Sequence, residues 1–269
     1  MALSPFPRRI ILCLGDSITE QGWGMKGNRG WVAELASAYA RKADIVNRGY
    51  GGFTTRTLSP IADRVFTAMD KDGLRAVLTT IFLGANDANC DTGLRGPGQP
   101  EQFVPVAEYE SRLSVLTQKA KERSDVVVVI APGPIDDRRW PTRSNAVVST
   151  YCAAAARVAA MENVLFVDLL AATGGPFHDR SKFMTDAEAP WLDFLSDGLH
   201  LSASGNALVA EKILSVVKLH APHASPEGLP MDFPNWAFIG TGPNDEANKA
   251  LEESALKDFR QAQIAAIKM

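Results

Sequence analysis

The sequence predicts an α/β protein, a three-layer α/β/α sandwich built on a five-stranded parallel sheet. Three observations lead there. Five short apolar runs rich in branched side chains recur between Ile10 and Val167, and runs without polar alternation are strands covered on both faces. Segments of helix length separate them, as parallel neighbours require. The first three runs each stop at a small, polar or glycine-rich turn, where open α/β sheets hold their ligands.

In chain order, Pro5 and Pro7 mark a lead-in. Ile10-Ile11-Leu12-Cys13-Leu14 is the first strand, and Gly15-Asp16-Ser17-Ile18-Thr19-Glu20 leaves it for a helical segment. Gly22, Gly24, Gly27 and Gly30 punctuate a loop. Trp31, Leu35, Ala38 and Tyr39 recur at helical spacing, which predicts a helix over 31–43. Ile45-Val46-Asn47 is a short strand emptying into a glycine-rich turn over 48–55, and a helix over about 56–70 follows. Arg75 to Leu83 is a third strand, closed by Gly84-Ala85-Asn86-Asp87. A loop with Gly93, Gly96 and Gly98 precedes a helix over about 105–123. The strand Asp125 to Ala131 stops at Pro132-Gly133-Pro134. Alanine-rich Ser144 to Met161 is a helix, and Val164 to Val167 is the fifth strand, ending at Asp168.

Beyond the sheet, 184–196 reads as a short helix and 203–218 as a longer one with Ser202 as N-cap. Prolines at 222, 226, 230, 234 and 243 then exclude regular structure, and an amphipathic helix over about 245–267 closes the sequence. The expected division is a core of 1–219 and a C-terminal segment of 220–269. That segment packs on the core or on a partner subunit, which makes a homodimer one expected arrangement.

With 269 residues, 46% hydrophobic and 22% charged, the chain has the composition of a soluble globular protein. A net charge of −3 gives no electrostatic footprint for nucleic acid or an anionic membrane. Arg8-Arg9 and Arg138-Arg139 are too short for basic patches and read as solvated faces. No stretch approaches the ~20 apolar residues of a membrane span, and the first apolar run falls short of a secretory h-region. The three cysteines, Cys13, Cys90 and Cys152, are widely spaced, so no disulfide framework, metal pair or redox pair is expected. A reducing, cytoplasmic location is the expectation.

Acyl transfer needs a nucleophile, a base in reach of it, a group that orients the base, and donors aimed at the developing oxyanion. Ser17 has two readings: a helix cap completed by Glu20 as a capping box, or a nucleophile at a strand end. His200 is the candidate base, and Asp197, three residues earlier, can hold its imidazole. The candidate oxyanion donors are the backbone N–H groups of Ser17 and Gly52 and the side-chain amide of Asn86. An amide donates without carrying charge, although Asn86 can also simply close its turn and Gly52 simply permit a positive φ. Of the four histidines, His220 and His223 lie in a proline-rich stretch and read as surface residues. His178, beside Asp179, is a rival base. An Asp-x-x-His pair can also ligate a metal, but no further cluster supplies the remaining ligands. No phosphate-cradling glycine pattern follows any strand. Neither metal nor cofactor is expected.

These residues resemble a family. Gly15-Asp16-Ser17, Gly52, Gly84-x-Asn86-Asp87 and Asp197-x-x-His200 are similar, in order and spacing, to the four sequence blocks of the SGNH hydrolases, or GDSL lipases/esterases. No Gly-x-Ser-x-Gly elbow of the α/β-hydrolases occurs. The longer stretches 16–22, 47–52, 82–88 and 197–202 look like the isoamyl acetate-hydrolysing esterase subfamily, with Gly51 where that subfamily often has serine. The resemblance implies a flavodoxin-like sandwich and serine-based ester hydrolysis without metal or organic cofactor. It assigns the four defining roles to Ser17, Gly52, Asn86 and His200, with Asp197 completing the triad, and it suggests short-chain acyl esters such as acetates of small alcohols. The same triad also serves acyl transfer to, or deacetylation of, an alcohol or sugar. A non-catalytic ligand-binding protein of the same fold is the remaining alternative, disfavoured because every catalytic position is filled.

Overall fold

The computed structural model describes residues 9–25, 27–89, 102–174 and 190–232. Five strands form one parallel sheet in the order β2-β1-β3-β4-β5. They are β1 (Arg9–Gly15), β2 (Ala43–Gly49), β3 (Ala76–Phe82), β4 (Ser124–Ile130) and β5 (Leu165–Val167). β3 is buried throughout and β1 from Ile11 onward, as their unbroken apolar sequences demand. β2 lies on the sheet edge and is only partly buried. Its Asp44 and Arg48 are tolerated there, so its full length exceeds the apolar run that marks it in the sequence.

The helices are α1 (Ser17–Glu20), α2 (Trp31–Ala38), α3 (Thr55–Asp72), α4 (Val106–Arg123), α5 (Asn145–Glu162), α6 (Leu169–Ala172) and α7 (Ala203–His220). α4 packs between α3 and α5, while α2 packs on α7. That grouping follows from right-handed crossovers: the chain runs one way along the sheet from β1 to β2 and the other way from β2 to β5. The reversal leaves a crevice beyond the carboxyl ends of β1 and β3, the switch point of a flavodoxin-like sheet. Register brings the strand ends level there, with Gly15 opposite both Gly49 and Phe82, and Phe82 opposite Ile130. The turns after β1, β2 and β3 therefore meet at one place.

Several boundaries differ from the sequence reading. α2 ends at Ala38 rather than near 43, because Arg41 takes a left-handed φ of 63° and turns the chain into β2. The described part of the expected helix over 184–196 is a 3-10 turn, Pro190–Phe194. α6 is too short to show a period, and its cap is Asp168, whose Oδ1 accepts from Ala171 N at 2.9 Å. Ser202 caps α7 as expected, accepting from Gly205 N. The chain divides into two units, Met1–Gly228 and Leu229–Met269, so the first continues past 219. The physical reason is that Tyr39 Oη donates to Ala224 O at 2.9 Å, with Ala221 and Ala224 buried. Pro222 opens a one-turn 3-10 helix there, a position its missing N–H suits. The expected helix over 245–267, and any dimer made through it, lie outside the described residues.

Candidate active site

Ser17 is the first residue of α1, but it is not the cap. Asp16 caps the helix, in extended conformation with φ −98°, and its Oδ1 accepts from Ile18 N at 2.9 Å. Glu20 does not turn back to form a capping box either; its carboxylate accepts from Gly51 N in the turn after β2. The two readings of Ser17 thus separate: capping falls to Asp16, and the hydroxyl is left for other work. Glu20 instead ties the first turn to the second. The fit is close, since a Cβ on Gly49 would lie 2.0 Å from Glu20 N. From below, buried Trp31 donates its Nε1–H to Ile18 O at 3.1 Å.

The turn between the 3-10 segment and α7 delivers the other partners. Asp197 Oδ1 accepts from Leu199 N at 3.0 Å and His200 N at 2.8 Å, an Asx turn that points the carboxylate at its own histidine. Gly198 supplies the φ of 91° in that turn. Oδ2 accepts from His200 Nδ1 at 2.7 Å, and His200 Nε2 faces Ser17 Oγ at 2.9 Å. Burial raises the Asp197 carboxyl, but the hydrogen bonds from the His200 ring, His200 N and Leu199 N outweigh it and hold the group below its ordinary value. As a carboxylate it only accepts. Nδ1 therefore carries the imidazole proton, and Nε2 presents a lone pair to the serine hydroxyl. Asp136 N donates to Gly198 O at 2.8 Å and Trp140 Nε1 to Asp197 O at 3.2 Å, bracing the turn from the loop after β4.

Gly52 and Asn86 lie in the turns after β2 and β3. Gly52 adopts φ 77°, a conformation L side chains rarely take. Asn86 is buried, its Nδ2 donates to Phe53 O at 2.9 Å, and its Oδ1 accepts from Arg143 Nη2 at 3.1 Å. Arg143 is the residue that sequence reasoning missed. It stands in an irregular loop before the cap of α5, where nothing in the sequence distinguishes a buried arginine from a solvated one. Arg138 and Arg139 are exposed, as expected, and pair with buried Asp136 at 2.8 and 3.5 Å. The rival base His178 lies outside the described residues, whereas His220 and His223 are exposed. Cys13 is a core thiol, pushed up to about 12 by burial and thus protonated. Among the described residues no three His, Cys, Asp or Glu side chains gather as metal ligands, and no described helix is long and apolar enough to cross a membrane.

Beneath the crevice lie two buried carboxyls. Burial raises Asp16 to about 7, with nearby Asp87 raising it further and the Ile18 N–H and Arg143 opposing. Burial likewise raises Asp87 to about 6, against hydrogen bonds from Thr55 N and Oγ1 at 2.9 and 2.5 Å. An unfolded Asp titrates near 3.9. Between about pH 4 and 7 the folded chain therefore holds protons that the unfolded chain has released, and these two groups lose stability as pH rises. Tm is expected to be higher at pH 5 than at pH 7.5, with Asp16→Asn shrinking the difference. A wild-type Tm that climbs across this interval, unaltered by the substitution, would contradict the assignment.

A cavity of about 380 Å³ opens beside His200 and Asp197, lined by Ile18, Gln21, Met25, Asn28 and Leu201 among others. A doubly wound sheet with this hydrogen-bonded Ser–His–Asp chain at its switch point has the arrangement that serine-dependent acyl transfer requires. The chain belongs to the GDSL-like Lipase/Acylhydrolase family, whose model matches residues 13–208. A GDSL esterase/lipase of Arabidopsis thaliana is 34% identical over 93% of this chain and 100% of its own length. The isoamyl acetate-hydrolyzing esterase of Saccharomyces cerevisiae is 29% identical over 85% of this chain and 94% of its own. Among solved structures, the lipase/acylhydrolase of Enterococcus faecalis matches 78% of this chain and 95% of its own at TM-score 0.56 and 25% identity. The acetylxylan esterase Axe2 of Geobacillus stearothermophilus has the same fold, at TM-score 0.58 and 23% identity, covering 78% of this chain and 94% of its own.

Proposed function

We propose that the protein hydrolyses short-chain acyl esters, acetates among them, through an acyl-serine intermediate. The observation that carries the reading is the chain of hydrogen bonds from Ser17 Oγ through His200 to Asp197. Ser17 Oγ attacks the ester carbonyl carbon as its proton passes to His200 Nε2, and Asp197 stabilises the imidazolium. The carbonyl oxygen becomes an oxyanion facing Ser17 N, Gly52 N and Asn86 Nδ2. Collapse breaks the bond to the alcohol oxygen, which leaves with the proton from Nε2 and exposes the acyl-serine. Water then attacks the acyl carbon, giving its proton to Nε2; the second collapse releases the acid, and Oγ recovers the proton.

Support for small substrates comes from the 380 Å³ cavity, near the lower end of the usual range for ligand pockets, and from the yeast relative named for isoamyl acetate. A series of p-nitrophenyl esters from acetate to palmitate tests this. kcat/KM is expected to fall by about two orders of magnitude between butyrate and palmitate, a few methylene contacts at roughly 0.8 kcal/mol each being lost or turned unfavourable. A flat profile, or a rise toward palmitate, sinks the short-chain reading.

A further inference from the structure

We propose that Arg143 is a positioning residue for the reaction, holding in place the two oxyanion donors that do not belong to the nucleophile. The inference rests on the donor roles given above to Asn86 and Gly52. Arg143 is only 5% exposed, and burying a guanidinium is costly unless its N–H groups are taken up. Here three of the five go to the turn after β3 and to Gln102 beside it. Nε donates to Ala85 O at 3.1 Å, and Nη2 donates to Asn86 Oδ1 at 3.1 Å and to Gln102 Oε1 at 3.2 Å. The Trp140 ring covers the guanidinium at 5.2 Å.

The consequence for Asn86 is a choice of end. Guanidinium has donors and no acceptor. A flipped Asn86 would set its NH2 against those donors and leave both sides unsatisfied. Arg143 therefore keeps Oδ1 toward itself and Nδ2 on the other side, where Phe53 O takes one hydrogen and the second is the one the oxyanion needs. Gln102 extends the same grip to the neighbouring turn. Its Oε1 accepts from Arg143 and from Asn89 Nδ2 at 3.2 Å, which leaves its Nε2 to donate to Gly52 O at 3.2 Å. One guanidinium thus fixes the amide of Asn86 directly and, through one side chain, the carbonyl of Gly52, which lies across that residue's Cα from the donor N–H. Preorganised donors stabilise a transition state because they need not reorient as charge develops. Lysine cannot substitute fully, because a point charge lacks the planar fork that reaches several acceptors at once.

The test is a double-mutant cycle on p-nitrophenyl acetate, with kcat and KM read separately. Asn86→Ala is expected to lower kcat by about 10² to 10³. Arg143→Met is expected to lower kcat about 10²-fold with KM within about threefold, the pattern of a transition-state interaction. Added to Asn86→Ala, it costs at most about fivefold more, the share carried by Gly52, because both changes remove one interaction. Arg143→Lys recovers part of the rate. Three results overturn the role: a folded Arg143→Met with near wild-type kcat beside a slow Asn86→Ala, losses that multiply in full, or a loss confined to KM. Where Arg143→Met fails to fold, Arg143→Lys enters the cycle with the same criteria. An Asn86→Ala enzyme as fast as wild type removes the donor assignment and the Arg143 role together.

Discussion

Ser17→Ala is expected to lower kcat for p-nitrophenyl acetate by about 10⁶, the loss typical when the nucleophile of such a triad is removed. The substitution deletes the atom that forms the acyl bond. Its structural cost is small: Oγ bonds His200 Nε2, and capping of α1 rests on Asp16. One hydrogen bond is worth about 1 kcal/mol, so Tm is expected to move by less than about 4 °C in a domain of this size. Labelling by a fluorophosphonate, which reacts with activated serines, should vanish in the same variant. Retained turnover or labelling would mean that another residue attacks. A non-catalytic protein of this fold would show neither activity nor labelling from the outset.

Asp197→Asn carries the next largest effect, a fall in kcat of about 10⁴ with the fold preserved. The carboxylate at present accepts from three donors: Leu199 N and His200 N at Oδ1, and His200 Nδ1 at Oδ2. An asparagine keeps Oδ1 and so keeps the turn. It replaces Oδ2 with an NH2, which can only donate to Nδ1. The imidazole must then carry its proton on Nε2, where it can no longer accept from Ser17. Asp197→Ala separates the two functions of the residue, since it loses the tautomer and the turn together. Its Tm should fall by several degrees more than that of Asp197→Asn, at about 1 kcal/mol for each backbone N–H left unpaired. A kcat for Asp197→Asn within about tenfold of wild type would place the control of the histidine elsewhere.

How much of this was legible in the sequence varies with the residue. β1, β3 and β4 are central strands buried on both faces, so their identity is written in unbroken apolar runs. β2 is an edge strand, and its polar ends carry no such mark. The parallel, doubly wound arrangement followed from strand–helix alternation, because a parallel crossover demands a helix and takes one hand. Ser17, Asp197 and His200 were legible because strand-end turns and a short Asp-x-x-His step are local features. Whether Ser17 capped its helix was not legible: Asp16 and Ser17 are both good caps, and only the extended conformation of Asp16 separates them.

The sequence by itself therefore determined the layers, the strands of the sheet and the residue types gathered at its carboxyl edge. Burial, hydrogen-bond satisfaction and chain hand act locally enough to be read from neighbours in the chain. The tertiary structure alone decided how those residues are connected across it. It put His200 against Ser17, turned Glu20 from a cap residue into a tie to Gly51, and sank Arg143 behind Asn86 and Gln102. Such contacts join residues far apart in the chain, and a charged side chain in a loop carries no sign of whether folding will bury it. What decides is the space and the acceptors that other turns happen to leave, and these exist only once the strands are in register.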